Sequence, residues 1–428
     1  MLPIKILREN KEIVIANLKK KAEDNKIELI DKILALDETW RKFTYEVDQL
    51  RSKRNKLSES INTIKKQGGD IKSLIVEAKD IPNQINELDL KKTELKKQID
   101  SLLSQIPNLM HSAVPQGKTE EDNVEIKKCG NIQKKDFEII NHVELCEKNN
   151  WAEFDISAET TGAGFYYLKG DLALLNQALI RFAIEFMHSK NYNYIETPLM
   201  LRRKVLEGAI DVEGFKDTIY KIEDEDLNLI GTSEHSILGF MENKVVSEDK
   251  LPLKFFSYSM CFRKEVGSHG INEKGLWRTH QFNKVEQVIF AHPNESWNSY
   301  NELLQNSEEL LQQLELPYRV IEICTGDLSL WKSRSADVEV YRPTINAYGE
   351  IMSLSNCTAY QAEALNIKVL NKDNTRDYLH TLNNTALATS RIMVAILENF
   401  QNKDGTVNIP ECLQKYMFNK KIMQPIKA

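Results

Sequence analysis

Apolar residues recur through the first quarter of the chain at alternating steps of four and three: Leu36, Trp40, Phe43, Val47 and Leu50, then Leu57, Ile61 and Ile64, interrupted only at Arg54. That spacing keeps one face of a helix turned toward a partner helix and so predicts a coiled coil. A glycine turn, Gly68-Gly69-Asp70, is followed by a second series: Leu74, Ala78, Ile81, Ile85, Leu88, Lys92, Leu95, Ile99, Leu102 and Ile106. Two such helices joined by a short turn predict an antiparallel hairpin over about residues 28–106. A helix from residue 28 to residue 66 would be roughly 58 Å long at 1.5 Å per residue, which makes the hairpin a projecting arm. Pro82 lies inside the second series, where the loss of a backbone donor predicts a kink or a restart.

Beyond a polar linker containing Pro and Gly, residues 107–123, the pattern changes. Two segments of alternating polarity, Phe255 to Arg263 and Phe282 to Phe290, flank about eighteen residues rich in Gly, Ser, Asn, Lys and Arg, which predicts antiparallel strands joined by a long mobile loop. Period two puts Arg263 and Glu265 on one side of the first strand, and Phe282, Lys284 and Glu286 on one side of the second. A guanidinium, carboxylates and an aromatic face over one patch suit a nucleotide, since the guanidinium forks onto phosphate, the ring stacks on a base and a carboxylate accepts from an amine or hydroxyl. Residues 162–201 predict a glycine-punctuated strand, an amphipathic helix and a strand ending at Pro198. LIGTSEHSI reads as an extended segment with Thr232 and Glu234 on one face. LHTLNNTALATSRIMVAILENF reads as a strand, a small-residue turn and a helix starting near Ala386. Arg391 would lie in the first turns of that helix, where the dipole disfavours a cation unless an anion offsets it.

At 428 residues two domains are expected, with 41% hydrophobic residues to build their cores. The boundary falls at residues 110 and 111: an N-terminal domain over 1–110 and a second over 111–428. The net charge of −6 argues against a globally basic nucleic-acid binder. Locally, however, residues 51–66 carry Arg51, Lys53, Arg54, Lys56, Lys65 and Lys66 against the single acid Glu59. Such a cluster is either a solvated helix face or a rod that follows RNA phosphates by shape. The six cysteines show no C-x-x-C or paired Cys/His spacing, so neither zinc nor disulfides are expected. No apolar run reaches membrane-spanning length and no signal-peptide core is present, so a cytoplasmic protein without membrane contact is expected.

CFRKEVGSHGINEKGLWRTHQFNKVEQVIF, residues 261–290, resembles motif 2 of class II aminoacyl-tRNA synthetases, and in particular that of seryl-tRNA synthetases. The opening MLPIKILREN and the segment IPNLMHSAVPQGKTEEDNVEIKKCG are similar to the corresponding parts of that family, so the resemblance covers the chain from residue 1. Pro198 matches motif 1, the T-x-E loop is matched by Thr232 and Glu234, and the last strand and helix resemble motif 3. The fold this implies is α+β: an N-terminal antiparallel coiled-coil hairpin, then a class II domain with an antiparallel sheet flanked by helices.

The implied reaction joins L-serine and ATP into seryl-adenylate, then moves serine to the 3′ end of tRNA(Ser), with the selenocysteine tRNA, tRNA(Sec), a further acceptor left open. ATP and Mg2+ are the implied cofactors and a homodimer the implied assembly. By the same resemblance, Arg263 bridges the α-phosphate and the serine carboxylate, Glu265 reads the adenine amine and Phe282 stacks on the ring. Arg278 and Arg391 hold the distal phosphates, and Glu350 and Ser353 bind magnesium. Thr232 and Glu234 hold the serine ammonium, while Glu286 and Thr385 meet its hydroxyl. Arg51, Lys53, Arg54 and Lys56 would touch tRNA. Two other classes stand beside this one: a synthetase-like paralog serving a non-tRNA acceptor, and a catalytically silent binding protein. The chain departs from the family's common patterns where Arg334-Ser335-Ala336-Asp337 replaces Lys-x-Tyr-Asp, where Trp277 replaces a smaller apolar residue, and where residues 384–391 replace a glycine-rich motif 3.

Overall fold

The computed structural model describes residues 1–265 and 274–427, which form two compact units, Met1–Pro107 and Asn108–Ala428. The part of the long loop at 266–273, where Ile271, Asn272 and Glu273 begin a run (to Lys274) that stands in place of the basic-Asp-Thr-basic run usual in the family that the sequence resembles, lies outside the described residues. Among the described residues no helix is long and apolar enough to cross a membrane.

The first unit is helical: α1 (Ile4–Lys20), α2 (Ile27–Lys66) and α3 (Lys72–Leu103). Gly68, at φ +72, reverses the chain between the two long helices, a conformation glycine adopts without a Cβ clash. Val47 of α2 is buried with Ile81 and Ile85 of α3, and Leu50, Leu57 and Leu88 extend the seam on either side. The restart expected at Pro82 does not occur, since α3 runs through it unbroken. Proline fixes a φ that a helix already uses and removes one donor, and burial of Ile81 and Ile85 beside it outweighs that loss. At the other end of the hairpin Asp37 is buried. It is held by Arg8 through Nε at 2.7 Å and Nη2 at 2.5 Å, and by Arg41 Nε at 3.0 Å, the pairing a buried carboxylate requires.

The second unit is organised by an eight-stranded sheet. Its strands are β1 (Val124–Cys129), β2 (Asn193–Tyr194), β3 (Leu253–Phe262), β4 (Gln281–Ala291), β5 (Tyr318–Glu322), β6 (Arg334–Arg342), β7 (Ala347–Asn356) and β8 (His380–Ala388), in the order β1-β5-β6-β7-β8-β4-β3-β2. All neighbours are antiparallel except β2, which runs parallel to β3, so the sheet is mixed at one edge instead of wholly antiparallel. The strand expected to end at Pro198 is only two residues long, Asn193–Tyr194, and stops before the proline is reached.

Helices α4 (Gly170–Ser189), α5 (Ser233–Met241), α6 (Ser296–Gln313) and α7 (Thr389–Asn399) flank the sheet. Along β4 the pleat sorts side chains by parity. Val285, Ile289 and Ala291 enter the main core with Leu172, Leu179 and Ile392, whereas Val288 and Phe290 pack in a second cluster with Ile237 and Leu238 of α5. Lys284 and Glu286 share the parity of Val288, so the buried charges and the second cluster lie on the same face.

Candidate active site

Four central strands and the start of α5 bring the chemistry-bearing residues to one cavity of about 530 Å³. Thr232, Glu234, Arg263, Glu265, Arg278, Phe282, Glu286, Glu350, Ser353, Thr385 and Arg391 all line it, although they are drawn from segments far apart in sequence.

Thr232 and Glu234 are not on an extended segment, as their alternation suggested. Thr232 is the N-cap of α5, its Oγ1 accepting from the Glu234 amide at 3.3 Å, and Glu234 lies in the first helical turn. A hydroxyl that satisfies an otherwise free helix-end donor outweighs the period-two pattern. Glu234 Oε1 accepts from Gln361 Nε2 at 2.8 Å and from Asn383 Nδ2 at 3.0 Å, which leaves Oε2 for a ligand. Burial, and then the charge of Glu286, push this carboxyl up to about 7. The neighbouring His235 is pushed down to about 3 by burial, reinforced by Lys284 and Arg263, and is therefore neutral. On β4, Lys284 Nζ stands 2.6 Å from Glu286 Oε2, the two side chains only 6% and 2% exposed. Thr385, the ladder partner of Glu286, donates its hydroxyl to the same oxygen at 3.4 Å.

At the opposite end, Arg263 follows directly on β3. Its Nε and Nη2 donate to the Gly231 carbonyl at 3.3 Å each, and its Cζ stands 5.3 Å over the Phe282 ring. Glu265, two residues on, holds φ +48, an uncommon conformation for a residue with a side chain. Arg278 is exposed at the cavity wall. Motif 3 has no small-residue turn: β8 keeps its ladder to Ala388, opposite Lys284, and α7 begins at Thr389 instead of near Ala386. Complete burial of β8 from Thr381 to Ala388 holds it as strand past the small residues. Arg391 is thus in the first turn, donating through Nη1 to the Glu350 carbonyl at 2.7 Å and Glu350 Oε2 at 3.2 Å, and through Nε to the Trp277 carbonyl at 3.2 Å. Burial pushes the Glu350 carboxyl up, but Arg391 and Arg263 outweigh it and hold the group below its usual value.

Asp337 on β6 faces Ser353 across the ladder. Burial, followed by Glu350, pushes it up to about 7, and its Oδ1 has no hydrogen-bond partner. An all-oxygen set of Glu350, Ser353 and Asp337 suits magnesium. Among the described residues no three His, Cys, Asp or Glu side chains gather tightly enough to hold a metal by themselves, so phosphate oxygens and water would complete the shell.

Several cavity residues escaped the sequence. Lys284 had a signal, its period-two relation to Glu286, but no assigned role. Asn383 and Lys332 carried none, because only strand pairing brings them in. Two guanidinium groups stand close to the Trp277 ring, Arg342 Cζ at 4.2 Å and Arg391 Cζ at 5.5 Å. Arg342 in turn donates to the fully buried Glu398 at 2.8 Å, and Gly349 leaves room where a Cβ would come 2.4 Å from the indole. The four arm residues belong to the other unit: on α2, Arg51 bonds Asp89 at 3.0 Å, Lys53 pairs with Glu77 at 2.6 Å, and Arg54 and Lys56 are exposed.

Residues 1–110 match the model of the seryl-tRNA synthetase N-terminal domain, and residues 219–400 that of the tRNA synthetase class II core domain (G, H, P, S and T). Over 419 residues the chain is 45% identical to a serine–tRNA ligase of Methanocella arvoryzae, covering 97% of this chain and 99% of the relative. The chain belongs to the seryl-tRNA synthetase family. The seryl-tRNA synthetase from Pyrococcus horikoshii complexed with ATP is similar over 100% of both chains, with a TM-score of 0.88 and 41% identity. The cytoplasmic serine–tRNA ligase from Naegleria fowleri in complex with AMP gives 0.85 and 32%, covering 100% of this chain and 99% of that one. A long helical region followed by a class II domain, as expected from the sequence, is the architecture of seryl-tRNA synthetases.

Proposed function

We propose that the cavity activates L-serine with ATP, releasing pyrophosphate, and then passes the seryl group from seryl-adenylate to a hydroxyl at the 3′ end of tRNA(Ser), releasing AMP. The observation that carries this reading is the convergence of two unlike ends in one cavity: a buried acidic and hydroxyl-bearing set around Glu234 and Glu286, and an arginine set around Arg263 and Arg391. A serine carboxylate oxygen attacks the α-phosphorus, one P–O bond forms, and the bond to pyrophosphate breaks. No protein nucleophile is needed, so rate comes from positioning and charge stabilisation.

Glu234 Oε2 and Thr232 receive the serine ammonium, and Glu286 with Thr385 takes the hydroxyl. Arg263 spans the serine carboxylate and α-phosphate, with Lys284 close by to share the negative charge. Phe282 stacks on adenine and Glu265 accepts from its amine. Arg278 and Arg391 hold the distal phosphates. Magnesium, bound with ATP, would add positive charge at those phosphates, with Glu350 and Ser353 as its protein ligands. On this reading residues 1–110 bind tRNA, with Arg51, Lys53, Arg54 and Lys56 on its phosphates, residues 111–428 carry out the chemistry, and the protein works as a cytoplasmic homodimer. The selenocysteine tRNA is a second acceptor of the same kind.

ATP–pyrophosphate exchange with each of the twenty amino acids, followed by transfer to tRNA, tests it. Serine should support exchange, and alanine should fall short by roughly 10⁴, because a site that bonds a hydroxyl leaves buried polar groups unpaired when the hydroxyl is missing. Alanine within about tenfold of serine would remove Glu286 from its role. Absence of serine-dependent exchange would overturn the reading, and exchange without transfer would point to another acceptor.

A further inference from the structure

Lys332 has no part in the roles above, yet it reaches into the phosphate end of the cavity. It lies just before β6 and lines the cavity together with Glu350, Ser353 and Arg391. Its Nζ donates to Ser335 Oγ at 3.2 Å and to Ser353 Oγ at 3.3 Å. Ser335 and Asp337 have the same parity on β6 and pair with Ser355 and Ser353 on β7, so the ammonium stands over the same patch of sheet as the carboxylate of Asp337. Its charge reaches Asp337, Glu350 and Glu234. This is not a lysine with its stem on the surface and its head in water, since the head is the end anchored inside.

An ammonium in that place has two effects on a divalent cation. It engages the Ser353 hydroxyl, one of the oxygens the cation would use. It also repels the cation at short range, in surroundings where charges are screened less than in water. Four negative charges on ATP reverse the balance, because they attract both cations together.

We propose that Lys332 is a fixed counter-cation of the phosphate end: by holding Ser353 and offsetting the charge of Asp337 and Glu350, it keeps the empty site from taking up a divalent cation, so that the metal enters with ATP and not ahead of it. The proposal rests on the ATP reading and adds an order of binding to it. Mn2+ alone, titrated into the full-length protein without nucleotide and followed by electron paramagnetic resonance at pH 8, gives the direct test. Lys332→Met should bind Mn2+ roughly tenfold more tightly than the wild type, and Lys332→Arg should match the wild type. Equal Mn2+ affinity in Lys332→Met and wild type would overturn the proposal. Lys332→Gln, checked by thermal melting, replaces the methionine variant if that one fails to fold. Serine-dependent exchange by the wild type is measured separately, so a failure of the ATP reading is distinguishable from a failure of the role given to Lys332.

Discussion

The arm and the cavity both carry dense charge, and they use it in opposite ways. On α3, Lys91 pairs with Glu87 at 2.6 Å and Lys96 with Asp100 at 2.7 Å, one helical turn apart and largely in water. In the cavity Lys284 and Glu286 meet at 2.6 Å as well, almost wholly removed from solvent. Equal distances carry unequal consequences. An exposed pair contributes about 0–1 kcal/mol, whereas removing one partner of a buried pair costs about 3–5 kcal/mol, because the other charge stays behind without compensation. Arm charges should therefore act as a sum, and cavity charges one at a time.

The largest effect expected from this contrast is at Arg391. Arg391→Ala should lower ATP–pyrophosphate exchange by about 10²–10³ while leaving thermal stability near wild type, since its guanidinium sits at the cavity wall and not in the core. Near-normal exchange would show that a single cavity charge is as replaceable as one on the arm. An intermediate effect is expected from Glu234. Its folded value near 7 lies above the ordinary carboxyl value, so the folded chain holds a proton there that the unfolded chain would have released. This group's contribution to stability is accordingly full below the ordinary value and lost as pH rises through about 7. Serine binding runs the other way, because the ammonium needs the carboxylate. At saturating ATP the KM for serine should rise by up to about tenfold for each pH unit below 7, and Glu234→Gln should be weak and flat across that range. A flat wild-type profile would contradict the buried, protonated carboxyl.

The smallest effect per residue belongs to the arm. Changing Arg51, Lys53 and Arg54 together to Ala should leave serine-dependent exchange unaltered. It should weaken tRNA binding and reduce the salt slope by about 3, roughly one unit for each phosphate that is no longer neutralised. Unchanged affinity and slope would return these residues to the status of a solvated helix face.

The two regions also differ in how far they could be read from the sequence. The arm follows from short-range periodicity: the seam Val47, Leu50, Leu57 against Ile81, Ile85 and Leu88 is the series that the spacing exposes, and of the two outcomes open at Pro82 the restart fails because a proline weakens a helix without ending one whose flanks are buried. In the cavity, the pair β3 and β4 was legible from alternation, and the motif resemblance named residues that do converge. The local conformations were less so. Thr232 to Glu234 alternates like a strand but is capped as a helix, and small residues from Ala386 look like a turn but lie in a buried ladder. Asn383 and Lys332 depend on pairings between segments far apart, and no window of sequence contains that information.

The parity of β4 constrains how this cavity could change over time. Lys284 and Glu286 share a strand with Val285 and Ile289, and odd and even positions serve the core and the cavity in turn. Adding or deleting one residue in the strand would exchange those duties, driving two charges into the core and turning two aliphatic side chains toward the ligand. A lineage could thus retune this cavity by replacing side chains one after another, whereas a shift of reading along β4 would take the fold away with the chemistry.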